Sequence, residues 1–314
     1  MTTAEMGSAA VESEYPGYEA IAPWHHRQPF ADGEQYPTVV TRSDAPYSSW
    51  APVPGNSTPS WIYLGTKRVN CGTFYVQPGG WFDSGNHPNP EPYYVLKGTL
   101  LLSNPDTSDV IEITAGDASN IPAFAYHHAF NIGDEVCEIL WWVPGEMHTD
   151  EFKAKMDRDS TNPRWYEREA VMLNGPHERN EGFPSHLDDL SKWPPDKPTK
   201  GPLDMQHLPR STWLHLLQGT DPRLTVLNSF FYCDERIRCS MVALPRGRET
   251  QSESGGYERL LYVENGTLSV NLSGTGKSLL AHPDELVFLP PFTEHSLQAI
   301  GDEPVSVLSA LVVE

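Results

Sequence analysis

Long apolar runs, positive charge and cysteine are all scarce in this chain, and each shortage narrows what it can be. No stretch approaches the roughly 20 consecutive apolar residues that a helix needs to span a bilayer. The opening Met1-Thr2-Thr3-Ala4-Glu5-Met6 carries neither the basic nor the apolar segment of a secretory leader. A cytoplasmic location with no membrane partner is therefore expected. Lys and Arg number 22 against 42 Asp and Glu, a formal net charge of −20. Such a chain repels a phosphate backbone or an anionic lipid surface, so no nucleic acid is expected as a partner. Cysteine occurs only as Cys71, Cys137, Cys233 and Cys239, with no CxxC spacing. Buried free thiols in a reducing compartment fit that distribution better than a disulfide framework does.

What the chain does hold is one framework written twice. Cys71 matches Cys239, Gly79 matches Gly247, Gly98 matches Gly266, Pro122 matches Pro290 and His127 matches His295, each pair 168 positions apart. Gly133-Asp134-Glu135 repeats as Gly301-Asp302-Glu303 at the same separation. Chance rarely keeps a single register over about 65 residues, so an internal duplication is the economical reading. The 314 residues leave room for two domains of ordinary size, each able to bury a core.

Residues 1–45 are acidic and Pro-containing without periodicity, and are expected to form an arm that wraps over its own barrel or a neighbour's. Between 46 and 148, short apolar runs bounded by Gly and Pro predict strands: Val69 to Gln77, Tyr93 to Leu96, Thr99 to Leu102, Val110 to Ile113 and Val136 to Val143. From 149 to 210 the text turns charged and Pro-rich, as in Trp193-Pro194-Pro195-Asp196-Lys197-Pro198. That predicts a connector, with one short helix around Asp150 to Met156. The strand pattern resumes over 211–314. The fold class expected is all-β, as two antiparallel barrels joined by a long link.

The chemistry concentrates between Gly79 and Gly98. Pro88 and Pro90 push the residues before them toward extended dihedrals, and in an extended chain the side chains at i, i+2 and i+4 share a face. His87, Asn89 and Glu91 are then expected on one face, with Tyr93 and Val95 continuing it into a barrel. His127, on the segment after Pro122, would join them from a second strand, while His128 faces the opposite way, exposed or at an interface. Two imidazoles and a carboxylate can hold one divalent metal and leave coordination positions open for substrate. Asn89 is either a weak fourth ligand or a turn residue between prolines. Tyr93 and Trp141 are core aromatics or substrate contacts. Thr73, Tyr75 and Gln77 alternate on the preceding strand and face either the substrate or the solvent. Glu138 is either an acid–base group inside the barrel or a rim residue. In the second copy Gly255 stands for His87 and Arg259 for Glu91. Arginine has no lone pair to give a metal, so one ion per chain is expected, in the first barrel.

These residues resemble the two motifs of the cupin superfamily. The first, G(X)5HXH(X)3-4E(X)6G, is met by Gly79, His87, Glu91 and Gly98, and the second, G(X)5PXG(X)2H(X)3N, by Gly116, Pro122, His127 and Asn131. The chain is similar to a bicupin, which implies two jelly-roll, or double-stranded β-helix, barrels: a metal-binding one over 46–148 and a degenerate one over 211–314. It departs from the pattern at Gly85, where the first motif has its first histidine, and at Phe124, where the second has glycine. The implied ligands are His87, Glu91 and His127, with Asn89 as a weak fourth.

The barrel names no reaction, because similar barrels host dioxygenases, isomerases, decarboxylases, hydrolases and binding proteins. The two-His, one-carboxylate set is the arrangement of iron(II) oxygenases, although Mn, Ni or Zn suit the same ligands. The expectation is an iron(II) dioxygenase that cleaves a C–C bond of a small phenolic or enolisable substrate, with Tyr93, Tyr75 and Glu138 as candidate catalytic groups. In this it is weakly similar to the hydroquinone-cleaving cupin dioxygenases. An oxygen-independent isomerase, lyase or hydrolase would use the same residues, with a Tyr or Glu moving protons. A small-molecule-binding bicupin without turnover is the third reading. Association through strand edges makes a homodimer the expected assembly.

Overall fold

A computed structural model describes residues 35–45, 47–53, 56–85, 87–104, 109–145 and 204–313. The first half runs β1 (Thr38–Val40), β2 (Tyr47–Val53), β3 (Asn56–Gly65), β4 (Val69–Val76), β5 (Trp81–Gly85), β6 (Glu91–Lys97), β7 (Thr99–Asn104), β8 (Asp109–Thr114), β9 (Ala118–Ile121), β10 (His127–Phe130) and β11 (Cys137–Pro144). The second runs β12 (Gln206–Leu208), β13 (Leu214–Gln218), β14 (Val226–Cys233), β15 (Ile237–Leu244), β16 (Glu258–Asn265), β17 (Thr267–Leu272), β18 (Lys277–Ala281), β19 (Leu286–Leu289), β20 (His295–Ile300) and β21 (Val305–Val312). Among the described residues the one helical piece is a 3-10 turn at Arg210–Thr212, and no helix is long and apolar enough to cross a membrane. The helix expected near 150–156 lies outside the described residues.

The duplication is visible strand for strand. One seven-stranded sheet has the order β12-β9-β6-β11-β4-β3-β2, and the other β1-β19-β16-β21-β15-β14-β13, in which every strand is the counterpart of the one above it. A four-stranded sheet, β5-β10-β7-β8, closes the first barrel and a three-stranded one, β18-β17-β20, the second. All pairings are antiparallel. Tight turns between neighbours need backbone that only glycine adopts cheaply. Gly98, between β6 and β7, has φ 76°, and a Cβ there would meet the Cys137 Cα at 2.9 Å; its counterpart Gly266 has φ 78°.

Alternation along the large sheets sends side chains to two different cores. Phe74, Val76, Tyr93, Val95, Ile139 and Trp141 point into the first barrel. Their neighbours Cys71, Tyr94, Leu140 and Trp142 point out of it, into a core shared with Cys239, Met241, Tyr262 and Leu308 of the other half. Both faces of each sheet are therefore apolar, which explains runs such as Ile139 to Val143 that do not alternate with polar residues. The two sheets pack face to face, with Tyr94 Oη donating to Glu264 Oε1 at 2.7 Å and Tyr63 Oη to the Asp284 carbonyl at 3.0 Å across the junction.

Each half also lends the other a strand. β1 pairs with β19 of the second barrel, Thr38 opposite Phe288, and β12 pairs with β9 of the first, Gln206 opposite Asn120. Both partners of one pair are the 168-shifted counterparts of the other, so the exchange is reciprocal and in the same register. The arm thus places Thr38–Val40 on the second barrel of its own chain, and the end of the region expected to be connector is a strand. Three residues are too few for a period to show in the sequence.

Trp142 is fully buried in the shared core. Trp142→Ala is expected to cost about 3–5 kcal/mol of unfolding free energy. Urea unfolding of the intact chain, followed by circular dichroism and fluorescence, is expected to give one transition rather than two, because neither large sheet can expose that face alone.

Candidate metal centre

Three strand ends bring the donors together. His87 follows β5, Glu91 opens β6, and His127 opens β10, directly opposite Gly85 on β5. All three side chains are buried, and one ligand atom from each lies within 4.8 Å of the others. His87 Nε2 is 3.0 Å and His127 Nε2 3.4 Å from Glu91 Oε2. The orientation of each ring is set from behind: His87 Nδ1 donates to the Asn89 carbonyl at 2.6 Å, and His127 Nδ1 to the Ala125 carbonyl at 3.2 Å. A carbonyl can only accept, so each Nδ1 carries a proton and each Nε2 turns its lone pair toward Glu91.

That donor set fits a cation. Two imidazole lone pairs and a carboxylate aimed at one buried point repel one another unless a positive charge sits among them. Without a metal, a proton takes that part. Burial alone would push the His87 pKa down, but the Glu91 carboxylate more than offsets it, and the net shift is upward. Burial would raise Glu91, yet His87 and His127 draw its pKa down to about 2. Tyr93 Oη donates to the same Glu91 oxygen at 2.8 Å, and burial with that neighbouring charge holds its phenol well above the ordinary range. Around the triad stand aromatic rings: Phe82 edge-on to His127 at 6.0 Å, Phe74 to Phe82 and Phe74 to Tyr93 both at 5.3 Å. Trp141 completes this interior core, its indole ring beside Gly72.

The structure separates other candidates from the triad. Asn89 does not share the face of His87 and Glu91, because residues 88–89 bend rather than extend; its carbonyl meets His87, while its side-chain oxygen accepts from Arg236 of the second half. That oxygen is occupied where ligation would need it free. Tyr75 and Glu138 lie on the outward face of their sheet, with Cys71 and Leu140 rather than with Phe74 and Ile139. There the Tyr75 hydroxyl donates to Glu138, and Arg42 pairs with Glu138 at 2.7 Å while its guanidinium lies over the Trp61 and Tyr75 rings at 5.5 and 5.3 Å. Neither Tyr75 nor Glu138 is therefore placed as a catalytic group at the triad: of the two readings open for each, the one outside the barrel interior holds; alternation alone cannot tell which of two covered faces encloses the site. His128 is buried rather than exposed, its ring 4.1 Å from that of Phe130. Phe74 and Phe82 escaped the sequence reading, although Phe82 stands inside the first motif.

Phe124 holds the left-handed backbone that glycine supplies in the motif, at φ 63°, and its counterpart Phe292 does the same at φ 63°. The Phe124 N–H donates to the His87 carbonyl at 2.8 Å and the Phe292 N–H to that of Gly255 at 2.6 Å. The substitution changes the residue and leaves the turn intact.

In the second barrel the same positions hold a different cation. Arg259, the counterpart of Glu91, is buried, and its Nη1 donates to Glu253, the counterpart of Gly85, and to His295 Nε2 at 2.9 Å. His295 Nδ1 donates to the Thr293 carbonyl at 2.8 Å, so its ring is set as His127's is. Burial and the Arg259 charge lower its pKa to about 4, keeping it neutral. The guanidinium satisfies the groups that an ion would otherwise satisfy. A histidine cannot simply be restored at Gly255, where a Cβ would lie 2.1 Å from the Tyr257 ring.

Residues 72–143 match the cupin domain family. The first barrel is a cupin domain, and the chain has the two-barrel fold of a bicupin. Among solved structures it is similar to an oxalate decarboxylase–formate complex from Lactobacillus farciminis, at 17% identity over 91% of this chain and 89% of that one, TM-score 0.61. A variant of the oxalate decarboxylase OxdC from Bacillus subtilis aligns at 14% identity over 89% and 78%, TM-score 0.59. AerE from Microcystis aeruginosa aligns at 11% identity over 86% and 98%, TM-score 0.56. At such identities the likeness is one of fold. No curated protein matches the sequence.

Elemental analysis is expected to find one tightly held divalent ion per chain, lost in Glu91→Gln. Arg259→Glu, which puts a carboxylate beside Glu253 and His295, is expected to raise the count to two. The pH dependence has a definite sign. In the metal-free protein the depressed Glu91 contributes stability above its ordinary 4.5 that is lost as pH falls toward 2, and the raised His87 contributes stability below its ordinary 6.5 that is lost as pH climbs through its elevated value. A metal must displace the His87 proton, so affinity is expected to fall about tenfold or more from pH 8 to pH 5.5 while Glu91 stays ionised. Chelator competition across that range measures it, and a flat profile would contradict the assignment.

Proposed function

We propose that the chain is a metal-dependent cupin enzyme whose first barrel holds one divalent metal, iron(II), on His87, Glu91 and His127, and that it is a dioxygenase cleaving a C–C bond of a small phenolic or enolisable substrate. The observation that carries this reading is the convergence of two Nδ1-anchored imidazoles and one carboxylate in an aromatic-walled interior. A bound metal would supply Lewis acidity toward substrate oxygens and, as iron(II), a relay for electrons passing from substrate to dioxygen, the substrate being the net reductant. The chain's own residues do the rest. Phe74, Phe82 and Tyr93 form an edge-to-face set that suits a flat ring and keeps water from it. The Tyr93 hydroxyl holds Glu91 in place by its hydrogen bond and keeps its own proton, a fixed donor beside the metal position.

A second reading has one observation in its favour. The chain shares its fold with oxalate decarboxylases, and the Tyr93 hydroxyl, a proton donor fixed beside the metal position, serves an oxygen-independent lyase as well as an oxygenase. One experiment separates them: oxygen uptake and product formation by anaerobically iron-loaded protein on a panel of catechols, hydroquinones and β-diketones. Uptake stoichiometric with ring or chain cleavage is expected, with Tyr93→Phe keeping its metal and losing about ten- to a hundredfold in turnover. Equal turnover with and without oxygen would transfer the assignment to the lyase reading.

A further inference from the structure

Among the described residues, a side chain of the second barrel reaches the surroundings of the first barrel's metal centre at Asn89. Arg236 Nη1 donates to Asn89 Oδ1, and the carbonyl of that same Asn89 accepts the Nδ1 proton of His87 at 2.6 Å. Asn89 is therefore held through its side chain by one barrel while its backbone orients an imidazole of the other. It has little freedom to shift: it is 7% exposed, and its Nδ2 lies 3.1 Å from where a Cβ on Gly145 would stand. Arg236 is also mounted firmly. It sits in the turn between β14 and β15, where Asp234 Oδ1 accepts from the N–H groups of Arg236 and Ile237, each at 2.8 Å. Tyr232 Oη donates to the other Asp234 oxygen at 2.9 Å, and the Arg236 carbonyl accepts from the Val313 N–H at 2.8 Å. The duplication builds a matching contact in reverse. The equivalent turn of the first half reaches Glu258 of the second, with Thr66 Oγ1 donating to Glu258 Oε2 at 2.8 Å. Glu258 is the 168-shifted counterpart of Pro90, the neighbour of Asn89.

We propose that Arg236 is a positioning residue for the metal centre: it fixes the bend at Asn89 and, through the Asn89 carbonyl, the tautomer and direction of the His87 ring. The barrel without a metal thereby sets the affinity of the barrel with one. The proposal rests on His87 being a metal ligand. Groups behind a ligating histidine commonly change metal affinity by ten- to a hundredfold when removed, and Arg236 stands one residue further back, so the lower figure is expected.

Cobalt(II) titrated into the intact chain, read by its visible bands and by chelator competition, tests this. Arg236→Ala is expected to weaken binding about tenfold and to shift the bands, with the thermal unfolding midpoint of the metal-free protein unchanged. Asn89→Ala keeps the carbonyl and loses the grip, so it is expected to show the same loss, and the double variant no more than either. Arg236→Lys, which retains a donor, is expected to recover most of the affinity. Wild-type affinity and spectrum in Arg236→Ala would overturn the proposal, as would losses that add in the double variant. Should Arg236→Ala fail to fold, the comparison of Asn89→Ala with Arg236→Lys decides the question. His87→Ala is the separate control: if it binds cobalt like wild type, the metal-centre reading itself fails and the role of Arg236 falls with it, whereas loss in His87→Ala with no effect of Arg236→Ala overturns the positioning role alone.

Discussion

The packing of two seven-stranded sheets through their outward faces is the constraint on which the rest depends. A cupin barrel needs only one apolar sheet face to fill its own interior, yet β4, β6 and β11 are apolar on both, and Cys71, Tyr94, Leu140 and Trp142 are buried only because the other half covers them. Exposing that surface to water would cost far more than an ordinary domain's net stability. The two barrels consequently share one core, and the exchanged strands β1 and β12 extend each large sheet with a strand from the other half. Rigid attachment gives a side chain of one barrel a defined place against the other, as Arg236 has against Asn89.

Within that frame the two barrels solve the same electrostatic problem differently. A histidine fixed by a backbone carbonyl presents its Nε2 lone pair to the interior in both, as His127 and His295 do. A buried lone pair beside a carboxylate requires a cation. The first barrel leaves the position open to an exchangeable one, and the second closes it with the guanidinium of Arg259, which cannot leave and cannot turn over. Arg259 thus keeps the second barrel as a packing partner while filling the position that the first barrel leaves open.

The likeness to oxalate decarboxylases is one of fold and goes no further, since barrels of this kind carry many chemistries. The interior is what differs between reactions. Here Phe74, Phe82 and Tyr93 stand edge to face around the triad.

Much of this was legible without coordinates. The constant 168-residue register announces the duplication, short apolar runs bounded by Gly and Pro announce β4, β6, β7, β8 and β11, and the spacing of His87, Glu91 and His127 announces a metal centre, because run length, turn residues and ligand chemistry are properties of local sequence. Strands of three to five residues, β1, β5, β9, β10 and β12, are too short to carry a period. The bend at Asn89 overrode the extended geometry that its flanking prolines favour, and turned a candidate ligand into a support. Alternation could sort Tyr75 onto one face with Thr73, but not say which face encloses the site, since both are covered, nor that Glu138 stands opposite Tyr75. Sequence thus determined the fold class, the repeat and the ligand types. Only tertiary structure decided which barrel lends strands to which, which face is the interior, and that Arg236 stands behind His87, because these depend on contacts between residues far apart in the chain that no local pattern encodes.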